Sequence, residues 1–119
     1  MANKNKLVQL SINGDGIANM QMLDAPRKNG LTPHFIEDLI NCLNEVKANE
    51  DLKVLLITGL HEVFCSGADL DTLVKLCKKE IKPVDIILSK MILDIPIPVI
   101  SAMEGHAIGG GLALCLGAY

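Results

Sequence analysis

Three consecutive glycines, Gly109, Gly110 and Gly111, follow an apolar run in "IPVISAMEGHAIGGGLALCLGAY". Without side chains they let backbone N–H groups approach a bound carbonyl closely, and a helix opening at the same glycines adds the positive end of its dipole. That combination stabilises negative charge on an oxygen. The upstream segment "VLLITGLHEVFCSGADL" has the same plan: an apolar strand from Val54 to Thr58, a turn with Gly67 and Ala68, and a helix opening at Asp69. Two such turns are needed to hold one oxygen between two N–H donors. A glycine triplet alone would suit equally a strand-to-helix turn in which glycine serves only close packing.

"FCSGADL", followed further on by "IPVISAMEGHAIGGG", resembles the enoyl-CoA hydratase/isomerase (crotonase) superfamily. The likeness runs from the first strand to the last residue, and the family's domain is longer than this chain. The resemblance implies that the N–H groups of Ala68 and Gly110 bind a thioester oxygen as it becomes an enolate, with Asp69, Leu70 and Gly109 beside them in the substrate site. Asp69 also suits the N-terminus of its helix. The resemblance further implies a crotonase-like ββα spiral of nearly perpendicular sheets, with a C-terminal helical portion that makes trimers or hexamers. On this reading, residues 1–119 are the N-terminal portion of an α/β domain whose C-terminal portion is absent. Arg27 and Lys28 fall on a loop where the family often holds the phosphates of coenzyme A or phosphopantetheine; exposed loop cations with no ligand are the other reading.

In the family's hydratases a glutamate stands two residues after the third glycine, where this chain has Ala113. Alanine transfers no proton, so hydration by paired carboxylates is in doubt. A fixed glutamate would repel an acidic acyl group, and its replacement favours one. Loss of carbon dioxide from such a group generates a thioester enolate, for which each N–H donor is worth ~3 kcal/mol of barrier. The segment from "FCSGADL" through "GHAIGGG" is similar to the decarboxylating branch of the family, the enzymes that complete β-methyl branching in polyketide synthesis. In that branch a lysine follows the phenylalanine of the first turn by eighteen residues, the separation of Phe64 and Lys82. By this resemblance Lys82 holds the substrate carboxylate or protonates the dienolate, with a histidine partner beyond Tyr119. The substrate is then 3-methylglutaconyl on an acyl carrier protein or coenzyme A, converted to 3-methylcrotonyl with no metal or redox cofactor. Two alternatives stand beside it: a hydratase or isomerase using a second carboxylate beyond Tyr119, and a non-catalytic acyl-binding fragment.

Other chemistry-bearing residues have plainer readings. Lys90 competes with Lys82, and His106 is placed on the turn before the glycines, as a structural hydrogen-bonder or a proton carrier. Glu104 precedes the glycines and does not fit the missing acid. Lys75, Lys78, Lys79 and Lys82 cluster in "LVKLCKKEIK", which suits either a solvated helix face or contact with a phosphate or an acidic carrier protein.

The elements that must position these residues are legible in part. Leu7–Ile12 and Ile17–Leu23 read as a hairpin joined by "NGDG". Thr32 caps a helix that opens at Pro33 and runs to about Lys47. Its apolar stripe is Phe35, Ile36, Leu39, Ile40, Leu43 and Val46, leaving Glu37, Asp38, Asn41 and Glu45 wet. Val54–Thr58 is apolar enough for a strand covered on both faces. A helix is expected from Asp69 to before Pro83, another over Asp85–Leu93 with Ile86, Ile87, Met91 and Leu93 on or near one face, and a strand over Pro98–Met103.

Half of the 119 residues are hydrophobic but only Phe35, Phe64 and Tyr119 are aromatic, so packing rests on Leu, Ile, Val and Met. A net charge of −3 with no basic stripe argues against nucleic acid. Cys42, Cys65, Cys77 and Cys115 match no metal or redox spacing and read as reduced, buried thiols. With no apolar leader and no run long enough to span a membrane, a cytoplasmic location is expected.

Overall fold

The structure is a computed structural model that describes residues 6–68, 74, 75, 77–79 and 84–108. Asp69, Leu70, Lys82, Gly109, Gly110, Gly111, Ala113 and Cys115 lie outside the described residues, as do most of the helix expected from Asp69 and all of the one expected after the glycines. Val74, Lys75 and Cys77 are helical.

Strand β1 (Val8–Ile12) pairs antiparallel with β2 (Ile17–Met22). The turn between them is built by Asn13, whose Oδ1 accepts the N–H groups of Asp15 (2.9 Å) and Ile17 (3.0 Å). Gly16 closes it at φ 85°, in the left-handed region where a side chain is disfavoured. Helix α1 (Pro33–Ala48) starts where Thr32, in extended conformation, accepts the Phe35 N–H on its hydroxyl. Proline at the first helical position removes an N–H that had no partner to lose. The helix carries the chain back so that β3 (Val54–Thr58) lies parallel to β2.

Each remaining unit adds one strand to this sheet and one to a second. After β3 comes β4 (Val63–Cys65); after helix α2 (Val84–Leu93) come β5 (Val99–Ala102) and β6 (His106–Ala107). The main sheet has the order β1-β2-β3-β5, and β4 pairs with β6 in a separate two-stranded sheet. This strand–strand–helix succession agrees with the spiral expected from the resemblance. The small sheet was not foreseen: strands of three and two residues are too short to show a period, and His106 lies on β6, not on a turn.

The core lies on one face of the main sheet. Register aligns Ala18, Leu55 and Val99 across three strands, and Met20 with Ile57. Against them pack Phe35, Leu39, Cys42, Leu43 and Val46 of α1 and Leu88 and Ile92 of α2, with Phe64 and Cys65 of β4 closing the same cluster. The opposite face is half-covered: Val54 and Leu56 are half-buried and Ile17 and Ile100 exposed, so β3 is not enclosed on both sides as its composition suggested. Among the described side chains of α2, Leu88 and Ile92 are buried while Leu93 is 71% exposed; the side chains of Ile86 and Ile87 lie outside the described ones. One residue past Ile92 is about 100° around the helix, which turns Leu93 outward. Ile36 and Ile40 are half-buried, and Asp38 is not wet: its carboxylate, 13% exposed, accepts the Leu7 N–H at 2.7 Å. Among the described residues no helix is long and apolar enough to cross a membrane.

Cys42 and Cys65 are buried, donating to the carbonyls of Val8 (3.7 Å) and Asn29 (3.0 Å). Cys77 is exposed, contrary to expectation, because its neighbours Lys75, Lys78 and Lys79 hold that helical stretch in water. Burial raises the pKa of both inner thiols, helped at Cys42 by the charge of Glu45.

Two predictions follow from this packing. A Cβ at Gly105 would overlap the Glu62 carbonyl and the Val63 nitrogen, all backbone, so Gly105→Ala should separate β6 from β4 and cost about 3 kcal/mol in urea unfolding. An unfolded chain loses its thiol protons above pH ~8.5 while the folded chain keeps them, so the unfolded state binds fewer protons there. Stability should therefore decline as pH rises past that value, and the decline should shrink in a Cys42→Ala, Cys65→Ala double variant measured over the same range.

Candidate active site

Parallel pairing of β4 with β6 sets Val63 opposite His106 and Cys65 opposite Ala107. The His106 N–H donates to the Glu62 carbonyl (3.2 Å) and the Ile108 N–H to the Cys65 carbonyl (3.1 Å). Because the strands are parallel, the chain leaves both at the same end. The turn carrying Ser66, Gly67 and Ala68 thus begins beside Ile108, the residue before the glycine triplet.

That first turn is stitched to the loop between β2 and α1. Ser66 N–H donates to the Lys28 carbonyl (3.1 Å), the Ser66 hydroxyl to the Arg27 carbonyl (3.4 Å), and Leu31 N–H to the Gly67 carbonyl (3.0 Å). Gly67 has φ 80°, in the left-handed region where a side chain is disfavoured, and forms a parallel bridge with Gly30. All described peptide bonds are trans, so the Gly67 C=O and the Ala68 N–H lie on opposite sides of one rigid plane. The Leu31 bond on the carbonyl therefore aims the Ala68 N–H away from Leu31. Ala68 is half-buried, and its N–H donates to no acceptor among the described residues. A fixed, unspent N–H at a strand end is what a developing oxyanion requires.

The two loop cations do not act as a pair. Lys28, exposed and at φ 52°, lines an open groove of about 1060 Å³ with Ala25, Ser66, His106 and Ile108. Arg27 borders a different groove with Lys6, Thr32 and His34, and its guanidinium lies 3.9 Å from the Asp24 carboxylate. Lys28 is thus the cation beside the strand ends, and Arg27 is turned from them. Lys75, Lys78 and Lys79 are exposed, as is Lys90 in the last turn of α2. His106 is exposed on β6 along the groove, and Glu104 pairs with His61 (3.1 Å) across the two loops that enter the small sheet.

Two buried polar residues escaped the sequence reading. Asp24 is 1% exposed, with Oδ2 unpartnered among the described residues, and Asn29 is fully buried. The only sequence signal was the Asn29–Gly30 pair, which announces a turn but not the three elements that its side chain joins.

A family model described as Enoyl-CoA hydratase/isomerase matches residues 13–118. Bacillaene synthase decarboxylase PksI of Bacillus subtilis is 34% identical over 100 residues, which are 84% of this chain and 40% of that protein. The mitochondrial methylglutaconyl-CoA hydratase of Homo sapiens is 32% identical over 105 residues, 85% of this chain and 31% of that protein. Among solved structures, the ECH2 decarboxylase domain of CurF from Lyngbya majuscula matches with a TM-score of 0.86 and 40% identity, over 96% of this chain and 46% of that one. The chain spans less than half the length of these relatives. With its succession of paired strands and helices, the parallel strands β4 and β6 and these matches, the chain belongs to the enoyl-CoA hydratase/isomerase family.

Proposed function

We propose that this chain contributes the oxyanion half of a decarboxylase acting on an acidic enoyl thioester of the 3-methylglutaconyl type, carried on an acyl carrier protein or coenzyme A. The observation that carries the reading is the register of the small sheet. The register shifts by one residue between the Val63–His106 and Cys65–Ala107 pairs, and past that shift Ala68 and Gly110 each stand three residues beyond a paired residue. Equal offsets from paired residues favour two N–H groups converging on one thioester oxygen.

In the proposed reaction the bond between the γ-carbon and the carboxylate breaks and carbon dioxide departs. Its electron pair passes through the conjugated double bond onto the thioester oxygen, where Ala68 and Gly110 stabilise the dienolate. A proton then returns to the γ-carbon to give 3-methylcrotonyl. Lys82 holds the departing carboxylate or supplies that proton. Lys28, on the groove beside the strand ends, suits the phosphate of the phosphopantetheine arm, and Asp69, Leu70 and Gly109 complete the acyl site. No metal or redox cofactor is called for, because the thioester itself is the electron sink.

Ala113 and the spacing of Phe64 and Lys82 favour decarboxylation over hydration, and two of the matching proteins are named decarboxylases. The match to a methylglutaconyl-CoA hydratase supports hydration as the second reading.

Offered a 3-methylglutaconyl and a crotonyl thioester, the protein should release carbon dioxide from the first and leave the second unhydrated. Hydration of the second with no carbon dioxide from the first would overturn the assignment. Lys82→Ala should slow carbon dioxide release by about 10²-fold at an unchanged urea midpoint. Lys82→Arg separates the two roles, since guanidinium can hold a carboxylate but does not give up a proton.

A further inference from the structure

We propose that Asn29 is a positioning residue for the Ala68 N–H: its buried side chain locks the loop that holds the Gly67–Ala68 peptide plane. The catalytic consequence rests on the oxyanion role proposed above for that N–H; the geometric claim does not.

Every polar group of Asn29 is used. The side-chain Oδ1 accepts the Asp24 N–H (2.8 Å), and Nδ2 donates to the carbonyls of Met22 (3.2 Å) and Phe64 (2.9 Å). Its main-chain N–H donates to the Asp24 carbonyl (2.9 Å), and its carbonyl accepts the Cys65 thiol (3.0 Å). One amide therefore ties the end of β2, the start of the loop and strand β4 together. Lys28 and Asn29 lie consecutively at φ 52° and 55°, a left-handed pair that non-glycine residues seldom adopt, asparagine more readily than most. An external restraint is needed to keep both there, and the Asn29 side chain supplies it. Two carbonyls of the same loop, Arg27 and Lys28, receive the Ser66 donors, and two residues after Asn29 the Leu31 N–H grips the Gly67 carbonyl. Freed from Phe64, the loop would carry those contacts with it, and the Ala68 N–H would lose its aim although α1 and the main sheet remain.

Asn29→Gly is the informative variant, because glycine keeps the left-handed backbone while removing the amide. Amide hydrogen exchange on the chain should show Leu31 and Ser66 accelerated at least about 10-fold, with Leu39 to Leu43 of α1 changed less than about threefold. Unchanged protection at Leu31 and Ser66, or acceleration by the same factor as α1, would overturn the proposal. Should Asn29→Gly fail to fold, Asn29→Asp, which retains the Oδ1 acceptor and loses both donors, is judged by the same criterion. With the 3-methylglutaconyl thioester, kcat should fall about 10²-fold while KM stays within about threefold. An unaltered kcat in a variant with accelerated Leu31 and Ser66 exchange would overturn the catalytic part. A wild-type protein that turns over no thioester refutes the decarboxylase reading, and the exchange result then decides the positioning of the peptide by itself.

Discussion

A trans peptide carries its C=O and N–H on opposite sides of one plane, so whatever grips the first aims the second. Here the grip is the Leu31 N–H on the Gly67 carbonyl at 3.0 Å, and what it aims is the N–H of Ala68. A hydrogen bond of this kind adds only about 1 kcal/mol to stability. Its value lies in direction, which an anion-stabilising donor needs before the charge appears. Leu31 can supply that direction because it is itself immobilised: its side chain is buried, and the next residue, Thr32, caps α1. The helix thus anchors the loop, and the loop sets the peptide.

The same economy holds on the other side of the site. Strand β4 is three residues long and β6 two, too little to persist alone. They persist because Phe64 and Cys65 are buried in the core that the main sheet shares with α1 and α2. Gly105 lets the β5–β6 connection close against the Glu62–Val63 backbone, which brings β6 alongside β4. The exposed His61–Glu104 pair spans the same two loops but is solvated on both sides and adds little. The pairing of β4 with β6 is therefore a product of core burial and backbone contact.

The chemistry within this frame is chosen elsewhere. Relatives named as a decarboxylase and as a hydratase match the chain at 34% and 32% identity, so fold and overall similarity do not separate the two reactions. In the proposed function, what separates them is whether a carboxylate or a small residue follows the glycines, and whether a cation reaches the substrate acid. Ala113 and Lys82 answer both in the direction of carbon dioxide loss, in the proposed assignment.

Much of the frame is local in origin, and to that extent the sequence by itself determined it. Asn13 and Gly16 specify a hairpin by their own hydrogen bonds and dihedral freedom, Thr32 and Pro33 start a helix, and the apolar run Val54–Thr58 marks a strand. The glycines and Ala113 likewise point, through residue type alone, to the chemistry of the proposed function, because close approach and proton transfer depend on residue type. Tertiary structure alone decided the pairing of β4 with β6, the divergence of Arg27 from Lys28 and the burial of Asn29. Each of these depends on groups distant in the chain: Asn29 meets Phe64 across 35 residues, and its role exists only once β4 is packed beside it. Periodicity and turn propensity report a residue's neighbours in sequence, whereas a buried hydrogen bond of this kind is set by neighbours that folding brings in.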